Sequence, residues 1–184
     1  MELLGFLCIQ ARANRLANHR LHAAMAPLSR EEFHAPRTSF FPSLAATLNH
    51  ILEVDLYYIA ALHGEADMAQ RWKDFVPSDT MAELAAAQAR SDQRFIALMD
   101  ALSAEHLDEV IDLVRTHHVQ RERRGHVIAH LLNHQVHHRG QAHAMLAGTS
   151  VRPPQLDEFL MPSEAHLRVA DMAATGWTEG DLFG

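Results

Sequence analysis

Between residues 126 and 141 the chain reads HVIAHLLNHQVHHRGQ, which sets His126, His130, His134 and His138 four residues apart. An α-helix turns about 100° per residue, so each such step advances only about 40° around the axis. The four imidazoles therefore form one stripe, and His137 and Gln141 fall in the same sector. Imidazole is the commonest protein metal ligand and titrates near neutral pH. A row of imidazoles on one helical face needs a partner that accepts lone pairs, and a divalent metal is the obvious one.

Two spacings could chelate such an ion, His130/His134 and His134/His138, because side chains four apart are neighbours on a helix. No glutamate follows the first histidine of either pair, so the general base of an HExxH protease is missing and that mechanism is rejected. A catalytic zinc site commonly takes three protein ligands and keeps one position open, so a further ligand is expected from a facing helix. His50, in the largely apolar run TLNHILEVD, can point into a bundle there, with Glu53 one turn on as a partner for a ligand imidazole. A lone histidine such as His50 is more often a core or surface residue, and the stripe itself has a bland reading as a polar core network or wet groove. The stripe holds no carboxylate, so a mononuclear imidazole site fits better than a di-iron carboxylate centre.

Four long segments with 3.6-residue periodicity must position these groups. The first spans about Leu3 to Met25 and stops before Pro27; the second is predicted from near Pro42 to His63. Ser29–Glu32 has capping-box spacing for a short turn, and Thr80–Glu83 opens a third helix reaching about Leu102. Residues 65–77 read as a connection. Residues 108–119, rich in β-branched side chains, read as a short strand pair or an irregular crossover. The fourth helix runs from about Gly125 to Ala147, and a short helical piece follows near Ser163 to Ala173. The fold class is all-α: a four-helix bundle in one domain over residues 1–184, with about 149–184 as a C-terminal extension.

The bulk numbers narrow the function classes. With 23 acidic against 16 basic residues the formal charge is −7, which opposes nucleic-acid binding through bulk electrostatics. Arg121, Arg123 and Arg124 form the one dense basic cluster, read as a solvated helix start with an anion or substrate-carboxylate site as the alternative. Cys8 is the single cysteine, so an intrachain disulfide and a multi-cysteine zinc site are both excluded. It sits in an apolar run and reads as buried packing. Glu2 precedes that run and no basic segment leads it, so it reads as helix rather than signal peptide. No stretch approaches the ~20 apolar residues of a membrane span. A cytoplasmic protein is expected.

The residues also carry a resemblance. Asn133 to Gln141, NHQVHHRGQ, closely resembles the NHxxHHRGQ signature of the DinB/YfiT-like family of metalloenzymes. Thr47-Leu48-Asn49-His50 with Asp55 looks like that family's second-helix motif, Asn14-Arg15 and Ala17-Asn18 resemble its first-helix element, and Pro153 to Asp157 resembles its PPxLD ending. The match spans roughly residues 10 to 160 in order. It implies an up-down-down-up four-helix bundle, usually dimeric, that holds one divalent metal through three histidines. Carried over by motif, these are His50, His134 and His138, with His130 and His137 in the cavity wall or just behind the ligands. Nickel or zinc is the expected ion, with iron and manganese as further candidates. Leu16 stands where many relatives have Trp, Tyr57 and Tyr58 surround another Trp position, and the tail beyond Leu160 exceeds the family ending; it is expected to pack on the bundle.

Two functions compete. The first is a metal-dependent enzyme, a hydrolase or a thiol-dependent S-transferase acting on a small molecule, with a low-molecular-weight thiol as a partner; His130, Glu53 or Gln141 would orient water or ligands. The second is a non-catalytic metal-binding stress protein serving as a dimeric interaction module. A pocket with polar anchors beside the metal favours the enzyme; a metal sealed by side chains favours the module.

Overall fold

The computed structural model describes residues 2–157 and 160–183; the single-domain expectation over 1–184 also covers residues 1, 158, 159 and 184, which lie outside the described residues. Helix α1 spans Leu3–Met25, the short α2 Arg30–His34, α3 Leu44–Leu62, the short α4 Met68–Lys73 and α5 Met81–Ala101. Strands β1 (Val110–Val114) and β2 (Val119–Arg123) form an antiparallel hairpin, with Val110 opposite Arg123. Helix α6 spans Arg124–Leu146, and α7 (Val169–Thr175) and α8 (Glu179–Phe183) close the chain.

Both capping boxes form: Ser29 with Glu32 at α2, and Thr80 with Glu83 at α5. One predicted boundary moves. Helix α3 starts at Leu44 instead of near Pro42, because the Ser43 hydroxyl accepts from Ala46 N–H at 3.0 Å and takes the cap. The connection at 65–77 contains α4, and the polar run at 121–123 lies within strand β2. The strand-pair reading of 108–119 is thus the one adopted, although the pair extends to Arg123.

Side-chain pairings fix the helix directions. Arg12 meets Asp100 and Asn18 meets Asp92, so α1 and α5 run antiparallel. His50 meets His134 and the carbonyl of Leu62 meets Arg124, so α3 and α6 do too. Asp55 meets Gln88 and Glu65 meets Arg94, so α3 and α5 run parallel. The bundle is all-α, up-down-down-up, with the small hairpin as its one sheet among the described residues. The parallel pair is why a long crossover carrying α4 must link α3 to α5.

One apolar core joins α1, α3, α5 and α6 beneath the hairpin through Tyr57, Ile59, Phe95, Met99, Leu113 and Ile128. A second lies at the other end, around Leu21, Phe33, Leu48, Leu84 and Leu146. The C-terminal extension packs on α1: Met172 and Leu182 cover Ala13, Leu16 and Ala17, with Trp177 against the same cluster. Arg20 of α1 grips Asp171 at 2.6 Å and the Leu167 carbonyl at 3.1 Å. Leu16 therefore sits among apolar groups supplied by the tail. No helix among the described residues is long and apolar enough to cross a membrane.

Candidate metal centre

Helices α3 and α6 bring His50, His134 and His138 together. One ring nitrogen from each lies within 4.8 Å of the others. His134 Nε2 is 3.0 Å from His50 Nε2, and the His134 and His138 ring centroids are 4.4 Å apart. Two nitrogens at zinc-bond length around a tetrahedral ion stand about 3.3 Å apart, so the pair is near the spacing a shared ion imposes.

The remainder of the stripe diverges. Three four-residue steps rotate about 120° in total, so a straight α6 cannot keep all four imidazoles on one partner helix. His130 and His126 are exposed, and His130 stands edge-on to Tyr58 at 5.2 Å. His130 is thus in the wall next to the triad, with its centroid 6.3 Å from that of His134. His137 is exposed and accepts from Gln141 Nε2 at 3.2 Å. Gln141 Oε1 in turn accepts from His138 Nδ1 at 2.8 Å. That bond puts the proton on Nδ1 and leaves the Nε2 lone pair of His138 for an ion. Glu53 forms no hydrogen bond with any of these imidazoles, and burial raises its carboxyl above the usual range. Its proposed partnership with a ligand imidazole is absent.

The donor set fits a first-row divalent ion. All three groups are imidazoles, and burial pushes each below its ordinary value, His134 to about 3, so lone pairs are available at neutral pH. For His134 burial acts first, and repulsion from the other imidazoles adds to it. His134 Nδ1 is buried without a hydrogen-bond partner. The Phe41 ring covers one side, 4.4 Å from His50 and 5.5 Å from His138. Phe41 was not singled out from sequence; its signal was only an aromatic before Pro42 in a polar loop. We expect Gln141→Ala to weaken zinc binding by roughly 10–100-fold, since the His138 proton and ring orientation lose their anchor. Competition with a zinc dye checks this.

Behind the ligands, on the inner face of α6, lies a buried polar layer drawing on all four long helices. Arg139 Nη1 donates to Asn14 and, at 2.9 Å, to Asn18. Asn18 Nδ2 donates to Asp92 at 3.1 Å, Gln88 bridges Asp92 and Asp55 at 2.9 and 2.6 Å, and Gln135 donates to Asp55. Burial raises Asp55 well above the carboxylate range and Asp92 to about 6, and it lowers Arg139 to about 10. Gln88, Asp92 and Gln135 were missed in the sequence. The signal was there in α5, where Leu84, Gln88, Asp92 and Phe95 share one face, so two polar residues occupy core positions.

A sequence model of the DinB family matches residues 10–171. This chain belongs to the DinB family. Its similarity to Protein DinB of Bacillus subtilis (strain 168) is 24% identity over 155 residues, covering 80% of this chain and 89% of that one. The crystal structure of a DinB-like protein from Bacillus cereus ATCC 10987 superposes with a TM-score of 0.61 at 15% identity, covering 77% of this chain and 89% of the other. That likeness concerns the fold. Within this DinB chain the first-helix motif resolves into Asn14 and Asn18 on Arg139, and the Asp55 of the second-helix motif into the same layer.

Proposed function

We propose that His50, His134 and His138 hold one divalent ion, nickel or zinc before iron or manganese, and that the protein is a metal-dependent enzyme acting on a small molecule. The observation that carries the reading is the convergence of three neutral imidazole donors within 4.8 Å, with no carboxylate among them. A bound ion supplies Lewis acidity, which suits activation of water in a hydrolase or of a thiol in an S-transferase. The chain's own residues do the rest. Gln141 orients His138, Phe41 excludes water from one side, and half-buried His50 and His134 leave the other side within reach of a substrate. Dimerisation, a low-molecular-weight thiol partner and a cytoplasmic location belong to the same proposal.

The non-catalytic stress module draws its support from Phe41, which shields part of the triad. A polar cavity one turn away along α6 favours the enzyme. The test is elemental analysis of untagged protein purified without chelator, beside the His50→Ala/His138→Ala double variant. About one equivalent of ion per chain, lost in the double variant, is the expected result. A wild type that stays metal-free after reconstitution would overturn it.

A further inference from the structure

The hairpin brings an unneutralised cation to the wall of a cavity next to the candidate metal centre. A cavity of about 250 Å³ lies between β1–β2 and the helices α3 and α6, lined by Tyr58, Arg115, Gln120, Glu122, His126 and His130 among others. His130 belongs both to this lining and to the surroundings of His134. His126 and His130 lie two turns and one turn before His134, about 6 Å per four residues along the helix.

Arg115 opens the loop between the strands, where its N–H donates to His118 O at 2.9 Å. Its guanidinium donates to Tyr58 Oη at 3.0 Å and to Gln120 Oε1 at 3.3 Å, and it lies over the Tyr57 and Tyr58 rings at 5.0 and 5.4 Å. Each of those partners is neutral. The neighbouring arginines differ: Arg121 pairs with Asp112, Arg123 with Asp108 and Arg124 with Glu109. Among the described residues Arg115 forms no ion pair, although it is half-buried. A guanidinium carries five N–H donors in a planar fork suited to a carboxylate. Stacking on two tyrosines holds that fork in place, so less order is lost when an anion docks.

We propose that this cavity binds the carboxylate end of the small-molecule substrate, with Arg115 as the recognising cation and His126 and His130 as further donors. The proposal rests on the enzyme reading above. Glu122 faces the same cavity and selects among anions, because it repels a phosphate dianion more than a singly charged carboxylate. The volume admits an end group, not a whole cofactor. The substrate class is then a small carboxylate whose reacting atom lies roughly 6–12 Å from the carboxyl group. The basic cluster at 121–124, an alternative anion site on sequence grounds, is occupied by its own acidic partners.

The test titrates acetate and inorganic phosphate into the zinc-loaded full chain, following the histidine ring signals by NMR. Acetate is expected to shift His126 and His130 and to bind at least ~10-fold more weakly to Arg115→Gln. Glu122→Gln should tighten acetate a few-fold, which keeps the proposal testable if the arginine variant folds poorly. The metal-deficient His50→Ala/His138→Ala variant should bind acetate within about twofold of wild type, so failure of the metal reading and failure of the carboxylate site are read separately. Equal acetate affinity in Arg115→Gln, tighter binding of phosphate than of acetate, or shifts confined to His134 and His138 would each overturn it.

Discussion

His134→Ala is expected to purify with less than ~0.1 equivalent of metal while its helical circular dichroism stays within a few per cent of wild type. His134 is one corner of a nearly even triangle, its ring centroid 5.0 Å from that of His50 and 4.4 Å from that of His138, which lie 4.8 Å apart. The two donors left behind would come from different helices, with no i,i+4 chelate between them. The fold should tolerate the change, because the apolar clusters around Phe95 and Leu84 do not include this side chain. His130→Ala should keep nearly all its metal, since that ring is exposed and pairs with Tyr58. Equal losses in the two variants would mean that the ligand register is wrong.

The same variant has a pH signature in the metal-free state. His134 is held at about 3 in the folded chain against 6.5 when free, so between those values the unfolded chain binds the extra proton. Metal-free wild type therefore loses stability from this group as the pH falls below about 6.5. Alanine removes that dependence, and the stability difference should move in the variant's favour on acidification. Urea midpoints of chelator-treated proteins at about pH 7.5 and 5.5 decide it. A constant difference would mean that His134 is not desolvated as the geometry implies.

These outcomes also show how far the sequence was legible. Helix α1 and both capping boxes follow from local rules, since periodicity and cap chemistry act within a few residues. Pro42 misled because two N-terminal signals stand side by side, and the hydroxyl of Ser43 has the better placed hydrogen bond. The stripe on α6 was legible as chemistry but not as a ligand set: helical drift sends His126 and His130 to the hairpin cavity. The triad itself was readable only through the family resemblance. Asp92 and Gln88 in AAAQARSDQ fall at core positions of the periodic face of α5, but what they meet there, Asn18 of α1 and Asp55 of α3, is set by tertiary packing. Arg115 was unreadable for a related reason, because the neutral acceptors of its guanidinium, Tyr58 and Gln120, are a tertiary fact.

Arg139→Met should be the most damaging single change to stability, costing about 3–5 kcal/mol. The residue is buried and is the layer's central cation, with Asn14 and Asn18 accepting its protons. Methionine fills similar volume, so the loss reports electrostatics more than a cavity. Asp92, already at about 6, then loses the attraction of the guanidinium and its pKa rises further. A carboxyl raised in the folded state contributes stability that is lost as the pH climbs through its folded value. The deficit should therefore be smallest near pH 5 and grow toward pH 8, by about 1.4 kcal/mol for each unit of further rise. Melting should fall by roughly 6–20 °C at neutral pH, given about 2–4 °C per kcal/mol in a chain of this size. Asp92→Asn in the Arg139→Met background should restore part of the loss and flatten the pH dependence, because the buried carboxylate, left with only the distant Arg15 guanidinium at 3.9 Å, is then gone. Arg139→Lys should rescue only in part, since its shorter side chain ends before the Nη1 position that reaches both asparagines. A deficit that stays constant from pH 5 to 8 would locate the role of Arg139 in packing and leave the two buried carboxyls with Gln88 as their bridge but no shared cation.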